Sequence, residues 1–119
     1  MARILLAEDD DHLRRFLSRG LQRAGHIVDA VGDGAAALAL AGNTNFDLLL
    51  ADVVMPELDG IELARKVSKR QPGIRVMFIT GFAAVAMRED GLPRARSRVL
   101  AKPFHLRHLI DEVEALLLE

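Results

Sequence analysis
The sequence predicts a doubly wound α/β domain, and two observations carry that prediction. Five short apolar runs recur along 119 residues, separated by stretches that favour helix. Most of these runs are continuous rather than alternating, as expected of parallel strands covered on both faces. Strand and helix therefore alternate five times, which implies right-handed crossovers and helices on both sides of one sheet. The length suits a single domain with a substantial core.

The first run, RILLA (3–7), is the first strand. Leu13, Phe16, Leu17, Leu21 and Ala24 then follow the i, i+3, i+4 spacing of one apolar helix face, with Asp10 or Asp11 as cap and Gly25 as terminator. HIVDAV (26–31) is the second strand, and it ends in nothing chemical, as expected at a sheet edge. Gly34 and Gly42 bracket an Ala/Leu helix of strong propensity and weak amphipathicity. FDLLLA (46–51) is the third strand; it meets Asp52, after which Pro56 and Gly60 shape a turn. Ile61, Ala64 and Val67 mark the next helix, closed by Gln-Pro-Gly, and IRVMFIT (74–80) is the fourth strand. GFAAVAMRED (81–90) reads as a helix that is apolar nearly all round. Residues 93–98 form a basic loop with Arg94, Arg96 and Arg98, overlapping the fifth strand SRVLA (97–101). Leu106, Leu109, Ile110, Val113, Leu116 and Leu117 outline the last helix.

Composition excludes several classes. Half the residues are apolar and the charges are interspersed, so the chain is globular. A net charge of −1 argues against a protein devoted to gripping nucleic acid. There is no cysteine, hence no disulfide framework and no thiol chemistry. The N-terminal apolar run stops in acids too early for a signal peptide, and nothing approaches the ~18 apolar residues of a membrane helix. A soluble cytoplasmic protein is expected, a monomer or weak dimer, with any output coming from the surface of this one domain.

In a doubly wound sheet the functional crevice lies beyond the carboxyl ends of the strands. Glu8 and Asp9 follow the first strand there, Asp52 the third, Thr80 the fourth and Lys102 the fifth. Each alone has a structural reading as a cap, a turn residue or a surface lysine; five on one rim point to chemistry. Three carboxylates repel one another unless a cation neutralises them, and Mg²⁺ prefers such hard oxygens. Asp52 then offers an ionised oxygen to phosphorus, while Lys102 and Thr80 stabilise the transferring group.

Taken in order, ILLAEDD, DVVMPELDG, FITG and AKPF resemble the acidic pair, acceptor loop, switch-hydroxyl strand and lysine loop of response-regulator receiver domains, over the whole chain. The resemblance implies a CheY-like, flavodoxin-type sheet with strand order 2-1-3-4-5. It further implies that Asp52 is the phosphoacceptor and that Asp9, Asp52 and the Val54 carbonyl bind Mg²⁺. Glu8 would act through a metal-bound water, and the Lys102–Pro103 peptide is expected to be cis. A closer similarity, carried by LRRFL, MPELDGIELAR, MFITGFAAVA and KPFHLRHLIDEVE, is to stand-alone receivers that prime the ClpXP protease when unphosphorylated. It implies ClpX as a partner, and a histidine phosphotransferase or hybrid histidine kinase as phosphodonor.

Many receivers carry an aromatic three residues before the lysine; here that position is Val99, so a Thr–Tyr toggle is unavailable. In the expected fold the fourth helix borders solvent, and an exposed Phe82, Val85 or Met87 would make a docking patch. His105 and His108 lack a clear third ligand for a metal, and His12 reads as a surface residue. Three alternatives remain: a phosphorelay intermediate or phosphate sink, a degenerate scaffold, and a phosphatase of the haloacid-dehalogenase type. The last needs a second Asp where Val54 stands.

Overall fold
The computed structural model describes residues 1–81 and 97–119. Among them five strands alternate with four helices: β1 (Arg3–Ala7), α1 (Asp11–Arg23), β2 (Ile27–Val31), α2 (Gly34–Ala41), β3 (Leu48–Asp52), α3 (Gly60–Arg70), β4 (Arg75–Thr80), β5 (Ser97–Ala101) and α4 (Leu106–Leu117). All four strand pairings are parallel and the order is β2-β1-β3-β4-β5, as expected. Among the described residues no helix is long and apolar enough to cross a membrane.

Burial explains why the apolar runs are strands. Leu48, Leu49, Leu50 and Ala51 in central β3 are all inaccessible, because helices cover both faces. On one face α2 and α3 contribute Ala37, Ala41, Leu63, Ala64 and Val67 to a core with Leu5, Leu49 and Phe78. On the other, α1 and α4 contribute Leu17, Leu21, Leu109, Val113 and Leu116 against Ile4, Leu6, Leu48, Leu50 and Ile79. β2 lies at the edge and is only partly covered.

Helix ends follow local chemistry. Asp10, not Asp11, caps α1, its carboxylate accepting from the His12 and Leu13 amides. Gly25 at φ 99° closes that helix in a Schellman turn: its amide bonds the Gln22 carbonyl, and the His26 amide bonds that of Leu21. Asp33 and Asp59 cap α2 and α3 in the same way as Asp10.

Four expectations are corrected. Asp52 is the last residue of β3 rather than the first beyond it. Phe16 does not join the core face of α1: it is 52% exposed, and Ala24 is exposed as well. Gly20 is buried there instead, so close to α4 that a Cβ would stand 2.7 Å from Leu106 methyl carbons. Arg98 belongs to β5 rather than to a loop and pairs with Glu112 at 3.0 Å and with Glu119.

Candidate functional site
The carboxyl ends of β1, β3, β4 and β5 deliver the expected groups to one rim. β3 holds Asp52 at 5% exposure, and the two oxygens of its carboxylate have different partners. Oδ1 accepts from the Val54 amide at 3.1 Å, and Oδ2 accepts from Lys102 Nζ at 2.8 Å. The Lys102 amide donates to the Thr80 carbonyl at 2.9 Å, fastening the loop after β5 to the end of β4. The Lys102–Pro103 peptide is cis. Thr80 is fully buried, one residue beyond Ile79, which is the register partner of Asp52.

Glu8 extends β1 and is wholly buried. Its Oε2 accepts from the Asp10 amide at 3.0 Å; its Oε1 accepts no hydrogen bond from the described residues and stands 3.7 Å from Lys102 Nζ. Burial is the main cause that pushes the Glu8 carboxyl up to about 7, aided by the Asp52 charge and opposed by the Asp10 amide and Lys102. Burial also disfavours the Lys102 ammonium, but the Asp52 hydrogen bond and the charges of Glu8, Asp52 and Asp9 outweigh it and raise that group.

Asp9 is exposed, and one oxygen from each of Glu8, Asp9 and Asp52 falls within 4.8 Å of the others. A buried carboxylate oxygen without a donor, in a nest of acids balanced by one lysine, fits a hard divalent cation such as Mg²⁺. The geometry thus brings together Glu8, Asp9, Asp52 and Lys102, with Thr80 at the same rim.

The other expected residues are placed as follows. Val54 projects from the loop at 57% exposure. Val99 is half-buried, aligned with Phe78 of β4 and packed against the core on the α2–α3 side. Phe82, Val85, Met87, Arg94 and Arg96 lie outside the described residues. His105 stands at the N-cap position of α4, and His108 faces Glu112 at 3.4 Å. Sequence reasoning missed Arg14, which reaches back from α1 to the Glu8 carbonyl at 2.9 Å; one arginine among several on a helix carries no signal of such a contact.

A five-stranded parallel sheet with acids and a lysine gathered at its carboxyl rim is the architecture of a response-regulator receiver, the CheY-like module of two-component systems. The model of the response regulator receiver domain matches residues 4–114, and the chain belongs to that family. It is 51% identical to the response regulator receiver protein CpdR of Brucella abortus, over 99% of this chain and 98% of that one. The matched transcriptional regulators are longer, the chain spanning for example 45% of one and 51% of another. Among solved structures, a receiver protein of Sinorhizobium medicae superposes with a TM-score of 0.88 at 32% identity, covering 97% of this chain and 93% of the other. TrrA of Thermotoga maritima, solved in complex with Mg²⁺-BeF, superposes with a TM-score of 0.83 at 28% identity, covering 98% and 99%.

Proposed function
We propose that this chain is a phosphorylation-controlled signalling switch in which Asp52 accepts a phosphoryl group from a phosphohistidine donor. The observation that carries this reading is the setting of Asp52: a nearly buried carboxylate at the end of the central strand, 2.8 Å from a lysine and clustered with two further acids. An Asp52 oxygen forms its bond to phosphorus as the donor's P–N bond breaks, and the electron pair of that bond stays on the imidazole. Lys102 already touches Oδ2, so its ammonium is placed to accompany charge that moves onto the phosphoryl oxygens. Thr80 at the end of β4 supplies a hydroxyl to the same group. Asp9, Asp52 and the Val54 carbonyl would hold Mg²⁺, with Glu8 acting through water. When bound, the cation would offset the negative charge of the transferring group and the acids. The chain accelerates only its own modification and is no enzyme toward an external substrate. The phosphatase alternative is disfavoured by the exposed Val54, which can act neither as acid nor as base.

The full-length match to a stand-alone receiver supports output through protein contact. We infer ClpX as the partner of the unphosphorylated form, and a histidine phosphotransferase or hybrid histidine kinase as the donor.

Acetyl phosphate with Mg²⁺ should label the wild type, and a beryllofluoride mimic should bind it, while Asp52→Ala abolishes both. Equal labelling of the variant would remove Asp52 as acceptor. Purified ClpX should be retained by the unphosphorylated protein and released on phosphorylation; retention in neither state would leave only the receiver function.

A further inference from the structure
We infer that Arg14 is a positioning residue for the cation site, holding the acidic loop after β1 in the shape that lets Glu8 and Asp9 meet Asp52. The inference rests on the reading that these acids bind Mg²⁺, and deepens it.

The loop from Glu8 to Asp10 has to present one buried and one exposed acid toward Asp52 while its own backbone is turning into α1. Three of its restraints are local or strand-borne. The Glu8 amide donates to the Val31 carbonyl at 3.1 Å, the Asp10 amide donates to Glu8 Oε2 at 3.0 Å, and the Asp10 carboxylate caps the helix. None of these holds the peptide plane between Glu8 and Asp9. Arg14 does so: Nη1 donates to the Glu8 carbonyl at 2.9 Å, while Nη2 donates to Asp11 Oδ1 at 2.6 Å. One rigid guanidinium thereby ties the first residue of the loop to the first residue of α1, and a flexible ammonium cannot reproduce that two-point hold. The clamp occupies space opened by Gly32 after β2, where an added Cβ would stand 3.2 Å from Nη1. Arg14 is itself largely covered, with its side chain 22% exposed. Since the Glu8–Asp9 peptide carries both acids, its tilt sets the separation of their carboxylates from each other and from Asp52.

Positioning and simple charge predict opposite signs. A cation near a cation site repels Mg²⁺, so removing the Arg14 charge would tighten binding if charge were the whole effect. If Arg14 orders the ligands, removing it weakens binding, by about tenfold as is typical when a group that orients metal ligands is lost.

Isothermal titration of the full chain with MgCl₂ decides between them, using wild type, Arg14→Gln, Arg14→Lys and Asp9→Asn. Thermal midpoints measured in EDTA check that each variant is folded. The expected result is a Kd raised about tenfold in Arg14→Gln, a smaller rise in Arg14→Lys, and no measurable binding in Asp9→Asn. Should Arg14→Gln fail to fold, Arg14→Lys decides the matter: its Kd rises if the fork geometry matters and is unchanged if only charge does. Unchanged or tighter binding in a folded Arg14→Gln overturns the inference while leaving the cation reading intact. A wild type that binds no Mg²⁺ overturns both.

Discussion

Gly60 packs so tightly on the residue it serves that a Cβ there would stand 2.2 Å from the Asp52 carbonyl oxygen and 3.1 Å from the Val53 Cα. Its amide donates to the Val53 carbonyl at 3.0 Å, so the loop that leaves the site returns to the very backbone that positions Asp52. Backbone cannot yield as a flexible side chain does, and Gly60→Ala should cost about 2 kcal/mol, in the range found for overpacked cores. Urea unfolding of the variant checks this, and a midpoint equal to that of the wild type would show that the approach relaxes freely. The displacement should also disturb the Asp52–Lys102 contact, lowering labelling by acetyl phosphate in whatever fraction remains folded. At this scale the acids, the hydroxyl and the lysine were legible in the sequence because each directly follows an apolar run. Arg14 was not, because an arginine on a helix usually points to water, and only the fold reveals that the Glu8 carbonyl lies within its reach.

The elements were legible wherever burial is two-sided or periodic. β3 shows itself by four consecutive inaccessible residues, and α4 by Leu109, Val113 and Leu116 on a single face. The reading of α1 failed in part for a physical reason: Gly20 has no side chain to advertise it as core, yet its bareness is what admits Leu106 of α4. The contact stripe therefore runs through Leu17, Gly20 and Leu21, and Phe16 is left on its flank, half in solvent. Helix α3 depends on a different local feature. Asp59 ends the loop from Asp52 and caps the helix, its Oδ1 accepting from the Glu62 amide at 2.8 Å. Asp59→Ala should lower stability by about 1 kcal/mol and Asp59→Ser by much less, because Ser retains a capping oxygen. Hydrogen exchange locates the effect: protection should fall first in the opening turn of α3 and hardly at all in α4. Uniform loss across both helices would mean that the cap stabilises the whole domain rather than its own helix.

For the molecule as a whole, the rim that suits it to a cation is a source of instability without one. Glu8 is carried into the protein by β1, and burial, reinforced by the Asp52 charge, holds its carboxyl at about 7 against an ordinary 4.5. The folded state thus binds the Glu8 proton more tightly than the unfolded chain does. Its contribution to stability is fully present below 4.5 and is lost as pH rises through about 7. Lys102 does not reverse this trend: its value is raised from 10.5, so its own contribution changes only above that window. A small domain is only marginally stable, so even a partial loss of this kind is measurable. In EDTA the urea midpoint should therefore fall between about pH 5 and about pH 8, and Glu8→Gln, which cannot ionise, should flatten that fall. The decisive quantity is the difference in slope between the wild type and Glu8→Gln. Identical slopes in the two proteins would remove Glu8 as the cause. If Mg²⁺ binds the ionised acids as proposed, a saturating concentration should restore stability chiefly at the higher pH, by mass action on the folded state alone. On that reading, the cost of holding these acids together in the fold is offset by the ion the site is proposed to bind.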